Sequence, residues 1–306
     1  MGDKDNDTMK NFFKIGLLTG AILMLAACDK FGSDNKKNTF YYSNPSDVSI
    51  SFQIDGKEYQ IEPGKKGEIT LSPGEHSIQN SAGNKSTFMV YDNNSGGILN
   101  PNNFIYYQLA EVYAVKGEAD RFKPTDHTVI INGYQIELPV QSTNATLIDG
   151  NAFQCTYPLG IPFPDEIKSH NRNEKGNIKT KCFDKPEIIQ YFMDNYGEDL
   201  KPLSKEDEYS DTVNTNIDYS LPAAEFTDPD IQAEAENLVS LLNQIKESTD
   251  PDIHDKLKDS FHKTFIDVSK AYSERVSKSS VEDNKYYNRF IEESGKYQSY
   301  GILPKD

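Results

Sequence analysis

The sequence has no tryptophan, five histidines, three cysteines and one long apolar run in its 306 residues. One apolar run excludes a polytopic membrane protein, because each crossing helix needs about 20 apolar residues. Positive charge is also short. Lys plus Arg number 32 against 48 Asp plus Glu, a formal net charge of -16. Phosphates repel such a chain, so nucleic acid is excluded as a partner. What is present is a core: 36% hydrophobic and 11% aromatic residues argue for a folded protein and against wholesale disorder. At ~150 residues per domain, the length fits about two domains.

The apolar run spans residues 15–27, IGLLTGAILMLAA, 13 residues without a charge. It has the length of a signal-peptide core and follows Lys10 and Lys14, a positive leader. Met9 opens this pattern more naturally than Met1, whose acidic prefix carries Asp3, Asp5 and Asp7. The run ends in Leu25-Ala26-Ala27-Cys28. This resembles the lipobox of bacterial lipoproteins. The resemblance implies cleavage before Cys28, which would carry acyl chains such as palmitate as the first mature residue. Two or more chains anchor a protein stably. The expectation is a protein tethered to a membrane without spanning it. Asp29 after the cysteine resembles the signal that retains lipoproteins of enteric bacteria in the inner membrane. It favours the periplasmic face of that membrane over the outer membrane.

Removing Cys28 leaves Cys155 and Cys182, 27 positions apart. An even count in an oxidising envelope favours a disulfide, worth ~3 kcal/mol for a loop of this length. Neither cysteine belongs to a C-x-x-C pair, and His170 is the one histidine between them. Redox catalysis and a zinc site are therefore not indicated.

The fold class expected is α+β, with N-terminal β-sandwich or meander modules followed by a C-terminal antiparallel helical domain. The divisions are 1–27 signal peptide, 28–38 lipidated tether, 39–92 small β-sandwich module, 93–200 β-rich domain with a short helix and the disulfide, 201–226 acidic linker, and 227–306 helical domain. In the first module, Val48, Ile50, Phe52 and Ile54 alternate with polar residues, and Asp55-Gly56 marks a tight hairpin. Asp55, Gly56, Pro73, Gly74 and His76 carry a pattern that resembles PEGA-type repeats of bacterial envelope proteins. That resemblance implies a small non-catalytic spacer or binding module. Residues 92–103, DNNSGGILNPNN, read as a linker or long loop. Residues 105–115 read as a tyrosine-rich strand, and Asn132-Gly133 as a second hairpin turn. Residues 186–196 read as a short helix capped by Asp184 and ended by Gly197.

The pentapeptide Thr-Asp-Pro-Asp-Ile occurs at 227–231 and at 249–253, a helix-start signal used twice. The first helix would bury Ile231, Ala235, Leu238, Leu242 and Ile245. The second would bury Ile253, Leu257, Phe261, Phe265, Val268, Tyr272 and Val276. A third, over 281–294, would bury Tyr287, Phe290 and Ile291 and stop at Gly295.

Motifs for catalysis are wanting. No G-x-S-x-G is present. The calcium-like start at Asp92 lacks a closing Glu at Asn103. His254 and His262, with Asp255 and Asp259 beside them, read as solvated helix residues, since a metal site needs a converging third ligand. Asp126-His127 would suit an acid–base pair only if a hydroxyl joined it. The 18 tyrosines include the adjacent pairs 41–42, 106–107 and 286–287, of which one member should face outward in a strand. The reading is a lipid-anchored envelope protein that acts without catalysis. No cofactor or metal is called for. It would meet the membrane through its lipid and bind a protein partner, a basic envelope protein by charge. The alternatives are an envelope enzyme without a motif, and a glycan- or solute-binding lipoprotein with a pocket lined by Tyr106, Tyr107 and Tyr113.

Overall fold

The computed structural model describes residues 37–92, 95–166, 175–275, 280–300 and 302–305. The signal peptide, Cys28, most of the tether, His170 and Val276 lie outside the described residues. In chain order the strands are β1 (Thr39–Ser43), β2 (Ile50–Ile54), β3 (Lys57–Ile61), β4 (Lys66–Thr70), β5 (Gly74–Asn80), β6 (Lys85–Val90), β7 (Gly97–Leu99), β8 (Tyr106–Ala114), β9 (His127–Ile131), β10 (Tyr134–Leu138), β11 (Val140–Thr143), β12 (Leu147–Ile148), β13 (Gly176–Phe183) and β14 (Ile302–Pro304). The helices are α1 (Lys185–Tyr196), α2 (Pro229–Glu247), α3 (Pro251–Ser273) and α4 (Val281–Ser299). The class is α+β, with three of these helices gathered toward the C-terminus.

Period-two alternation builds layers from these strands. A five-stranded antiparallel sheet has the order β14-β6-β5-β2-β3, and a four-stranded sheet the order β12-β7-β1-β4. Phe88 and Val90 of β6 face the core between these two sheets, with Phe40, Phe52, Ile78 and Ile302. Met89 and Tyr91 point the other way, into a core shared with α2, α3 and α4. β7 is two-faced in the same manner. Leu99 joins the core between the sheets, and Ile98 a further core with Tyr106, Phe153 and Cys182. That core separates the four-stranded sheet from a three-stranded one, β11-β8-β13. Tyr107, Leu109 and Phe183 then pack against the β9-β10 hairpin and α1. Each inner sheet is covered on both faces, so apolar residues occupy successive positions on its strands.

Local signals explain the turns. Asp55-Gly56 and Asn132-Gly133 both take positive φ, 52° and 77°, then 51° and 85°. This is the mirror-image turn that matches strand twist. Asp184 caps α1 through its side chain, and Gly197 ends that helix in the left-handed region at φ 71°.

Several expectations are corrected. Both members of the 106–107 tyrosine pair are buried, because β8 lies between two cores. Val48 precedes β2 and is 60% exposed. The turn-rich stretch 92–103 holds β7, which runs parallel to β1 inside the four-stranded sheet. Its glycine marks a close approach: a Cβ on Gly97 would stand 2.1 Å from the Ile148 carbonyl oxygen. The second C-terminal helix buries His254, while Ile253 is 46% exposed. The third runs through Gly295 to bury Tyr297, whose packing outweighs the ~1 kcal/mol cost of an interior glycine.

Residues 201–226 have little regular structure, yet they are stitched to the body. Asp211 accepts from the Tyr107 hydroxyl at 2.6 Å, the Lys185 ammonium at 2.9 Å and the Asn132 amide at 2.9 Å. Thr212 exchanges hydrogen bonds with Ile130, and Asn214 accepts from the Ser142 amide at 2.7 Å. Tyr219, Leu221, Ala224 and Phe226 lie on the helical core. Asp211, one of the acids that suggested a linker, is here the acceptor for three donors from elsewhere in the fold.

Candidate functional site

An open cleft of about 870 Å³ lies where the end of β8 meets β13, α1 and residues 160–165. Its position follows from pairing. β13 runs along β8 from Tyr107 to Ala114, but β11 covers only Tyr106 to Leu109. Ala110 donates to the Pro139 carbonyl at 3.1 Å. Pro139 has no N–H to return, and the chain turns there into β10, so the ladder stops. Among the described residues, 111–114 thus have a strand neighbour on one side only.

The floor is ionic and fully engaged. Lys181 is 2% exposed, and its ammonium donates to Glu187 Oε1 at 2.5 Å and to the carbonyls of Cys182 at 3.1 Å and Pro158 at 3.4 Å. It also stands 4.3 Å from the centre of the Phe183 ring, within cation–π range. Burial pulls the Lys181 ammonium below the usual lysine range, against the opposing pull of Glu187. Lys66 reaches in from β4, bonding to Glu187 and lying 3.0 Å from Asp184. Asp184 in turn accepts from the Glu187 amide at 3.1 Å, as the cap of α1. Removing one charge from this set would strand the others in low dielectric.

The walls are aromatic and acidic. Phe163 touches Tyr113, Tyr191 and Phe183, with ring centroids 5.8–6.3 Å apart. The Tyr113 hydroxyl donates to the Pro164 carbonyl at 2.8 Å. The hydroxyls of Tyr191 and Tyr196 both donate to Glu111 Oε1 at 2.9 Å. Burial, then the Glu111 charge, pushes the Tyr196 hydroxyl up to about 12. Burial, then Tyr157, Glu111 and Asp165, pushes Tyr113 up to about 12. Glu111, Asp165, Glu187 and Asp194 line the cleft, against the ammonium of Lys181 on its floor and that of Lys66 reaching in beside it. The surface is therefore net acidic, and suits a cationic or ring-bearing ligand.

A second groove, about 500 Å³, runs along the unpaired edge of β8. Residues 122–126 form its far wall, and Pro139 and Tyr196 also line it. Asp126 belongs to this groove, but His127 is not among its lining residues. His127 instead opens β9, where it pairs with Leu138.

The disulfide supports the cleft wall. Cys155 and Cys182 stand at disulfide distance, Cα to Cα 5.5 Å. Beside them the Tyr157 amide donates to the Thr180 carbonyl, and the Cys182 amide to the Tyr157 carbonyl, each at 2.9 Å. This fixes the segment that leads into Pro158 and the cleft wall.

Other residues singled out above lie elsewhere. Tyr106 bonds to Ser43 at 3.1 Å inside a core, and Tyr107 to Asp211, so of the three tyrosines only Tyr113 reaches the cleft. His254 stacks on Tyr91 at 3.4 Å, away from solvent, whereas His262 is exposed. Burial pushes His254 down to about 3. Among the described residues, no three His, Cys, Asp or Glu side chains group as metal ligands. His76 on β5 braces the β2–β3 turn, 2.7 Å from both Asp55 Oδ2 and the Ser72 carbonyl. Lys181, Glu187, Phe163 and Tyr191 were missed by sequence reasoning. Lys181 and Glu187 had one signal, the charge alternation of residues 179–187, which does not say where the side chains converge. Compared with protein-family models, curated proteins and solved structures, the chain matches none.

Proposed function

We propose that this is a lipid-anchored protein of the bacterial cell envelope that acts without catalysis and recognises a basic protein partner. The observation that carries the proposal is the acidic, aromatic cleft at the half-paired end of β8, which offers carboxylates and ring faces to a cation. The lipobox ending at Cys28 supports the anchor, and cysteines at disulfide distance suit an oxidising compartment. A net charge of -16 would speed encounter with a basic partner at the membrane surface.

A second reading, glycan or small-solute binding, is favoured by the rings of Tyr113, Phe163 and Tyr191 in one open cleft, since ring faces also stack on sugars.

The test pairs two measurements in a bacterial host. Palmitate labelling should mark the wild type and not Cys28→Ala. Capture from envelope extracts should retain a basic protein at low salt and release it at high salt. Labelling that survives Cys28→Ala removes the lipobox reading. Capture of no basic protein, together with binding of an oligosaccharide, moves the function to the second reading.

A further inference from the structure

We infer that the partner binds as an extended, cationic strand added to the open edge of β8, with its side chains reaching the acidic cleft. This rests on the recognition reading above and specifies its mode.

Backbone geometry comes first. Val115 donates to the Lys175 carbonyl at 2.9 Å, so the odd residues of β8 exchange hydrogen bonds with β13. The even residues then direct theirs to the opposite edge. Ala110 follows this rule, donating to Pro139. Val112 and Ala114 have no strand beyond them among the described residues. Val112 lines the 500 Å³ groove, whose far wall is Phe122, Lys123, Pro124 and Asp126, and Ala114 lines the adjoining cleft. An added strand would sit ~4.8 Å from β8. It would gain main-chain hydrogen bonds there and place alternate side chains on the cleft face.

Charge selects the occupant. Glu111 lines both the groove and the cleft, Asp126 lines the groove, and Asp165 and Asp194 lie on the cleft. Lys123 is the one cation on the groove, and Lys181 is already held by Glu187. Lysine or arginine at alternate positions of the incoming strand would meet these carboxylates. Exposed apolar surface continues the site, with Val115 50% and Tyr196 46% exposed at the end of β8 and beside the groove. The outer strands β3 and β4 differ. They carry exposed Lys57, Glu58 and Glu68, the usual protection of an edge against pairing.

The test uses the folded chain and a peptide of about ten residues with alternating lysine and threonine, titrated by fluorescence anisotropy. Its twin is N-methylated at every second residue, on the edge that would face β8. The methylated peptide should bind about tenfold more weakly, and Glu111→Gln with Asp126→Asn should weaken the parent peptide by a similar factor. Val112→Pro should also weaken it while leaving the melting transition close to wild type, because that N–H points away from β13. Should this variant not fold, the methylated peptide still decides the matter on the wild type. Equal, salt-sensitive binding of both peptides overturns strand addition and leaves the recognition reading standing. Failure of every cationic peptide to bind at low salt overturns both.

Discussion

Two sheet edges of this molecule end differently. The five-stranded sheet would expose β6, but the chain returns at its end to lay β14 along it. Lys305 donates to the Thr87 carbonyl at 2.9 Å, so the outward donors of β14 fall at 302 and 304. The Ile302 amide bonds to Asp149 Oδ2 at 3.0 Å, and Pro304 has no donor. That edge is finished. On β8 the corresponding donors, Val112 and Ala114, meet no strand among the described residues, and a groove runs alongside. An edge that the chain leaves open beside a groove and an acidic cleft is a place for another chain, whereas an edge closed by a proline-bearing strand serves stability.

The comparison can be broken from the closed side. Ending the chain at Tyr300 removes Ile302 and Leu303, both buried, and leaves Asp149 without one donor. At about 1.5–3 kcal/mol per side chain, the loss should be roughly 5 kcal/mol in a urea melt. The shortened chain should also associate through β6. A loss under ~1 kcal/mol would mean that β14 does not close the sheet.

The same side carries a pH signature. His254 is held neutral against Tyr91, with its folded pKa lowered to about 3. Between that value and 6.5 the unfolded chain binds the extra proton. Stability is therefore fully present above pH 6.5 and falls as pH drops toward 3, by at most about 5 kcal/mol over the span. His254→Phe keeps the stack and should flatten this part of the profile. An unchanged slope would place the acid sensitivity elsewhere.

On the open side, Cys155→Ser with Cys182→Ser should cost ~3 kcal/mol by chain entropy and loosen the wall that leads into Pro158. Amide exchange should quicken at Tyr157 and Thr180 and not on α2. Equal protection there with and without the bond would show that hydrogen bonds alone hold the wall. Smallest of all, Tyr113→Ala should change stability by less than ~1 kcal/mol, since the ring lines an open cleft, yet weaken cationic-peptide binding several-fold. Loss of stability without loss of binding would make Tyr113 a packing residue.

The legible parts of the fold were those set by local chemistry. The apolar positions of α2, the cap at Asp184 and the turns at Asp55-Gly56 and Asn132-Gly133 depend on neighbours within a few residues. β7 was hidden because its two buried residues, Ile98 and Leu99, follow a glycine pair and are too few to show a period. His254 was misplaced because a polar residue took a core position that only Tyr91 makes available. The site was legible only as net acidity and as Tyr113 on a strand. The open edge is a fact about pairing partners, and Pro139 was its one sequence trace. The convergence of Lys66, Lys181 and Glu187 joins positions 66 and 187, which no local pattern relates.

The most direct measurement is residue-resolved amide exchange along β8, with and without the lysine-threonine peptide. Tyr113 should be protected in both states, because its N–H belongs to the β13 ladder, while Val112 and Ala114 should exchange quickly alone and slow on peptide addition. Protection of Val112 in the free protein equal to that of Tyr113, or no slowing at either even position when the peptide is bound, would contradict the account.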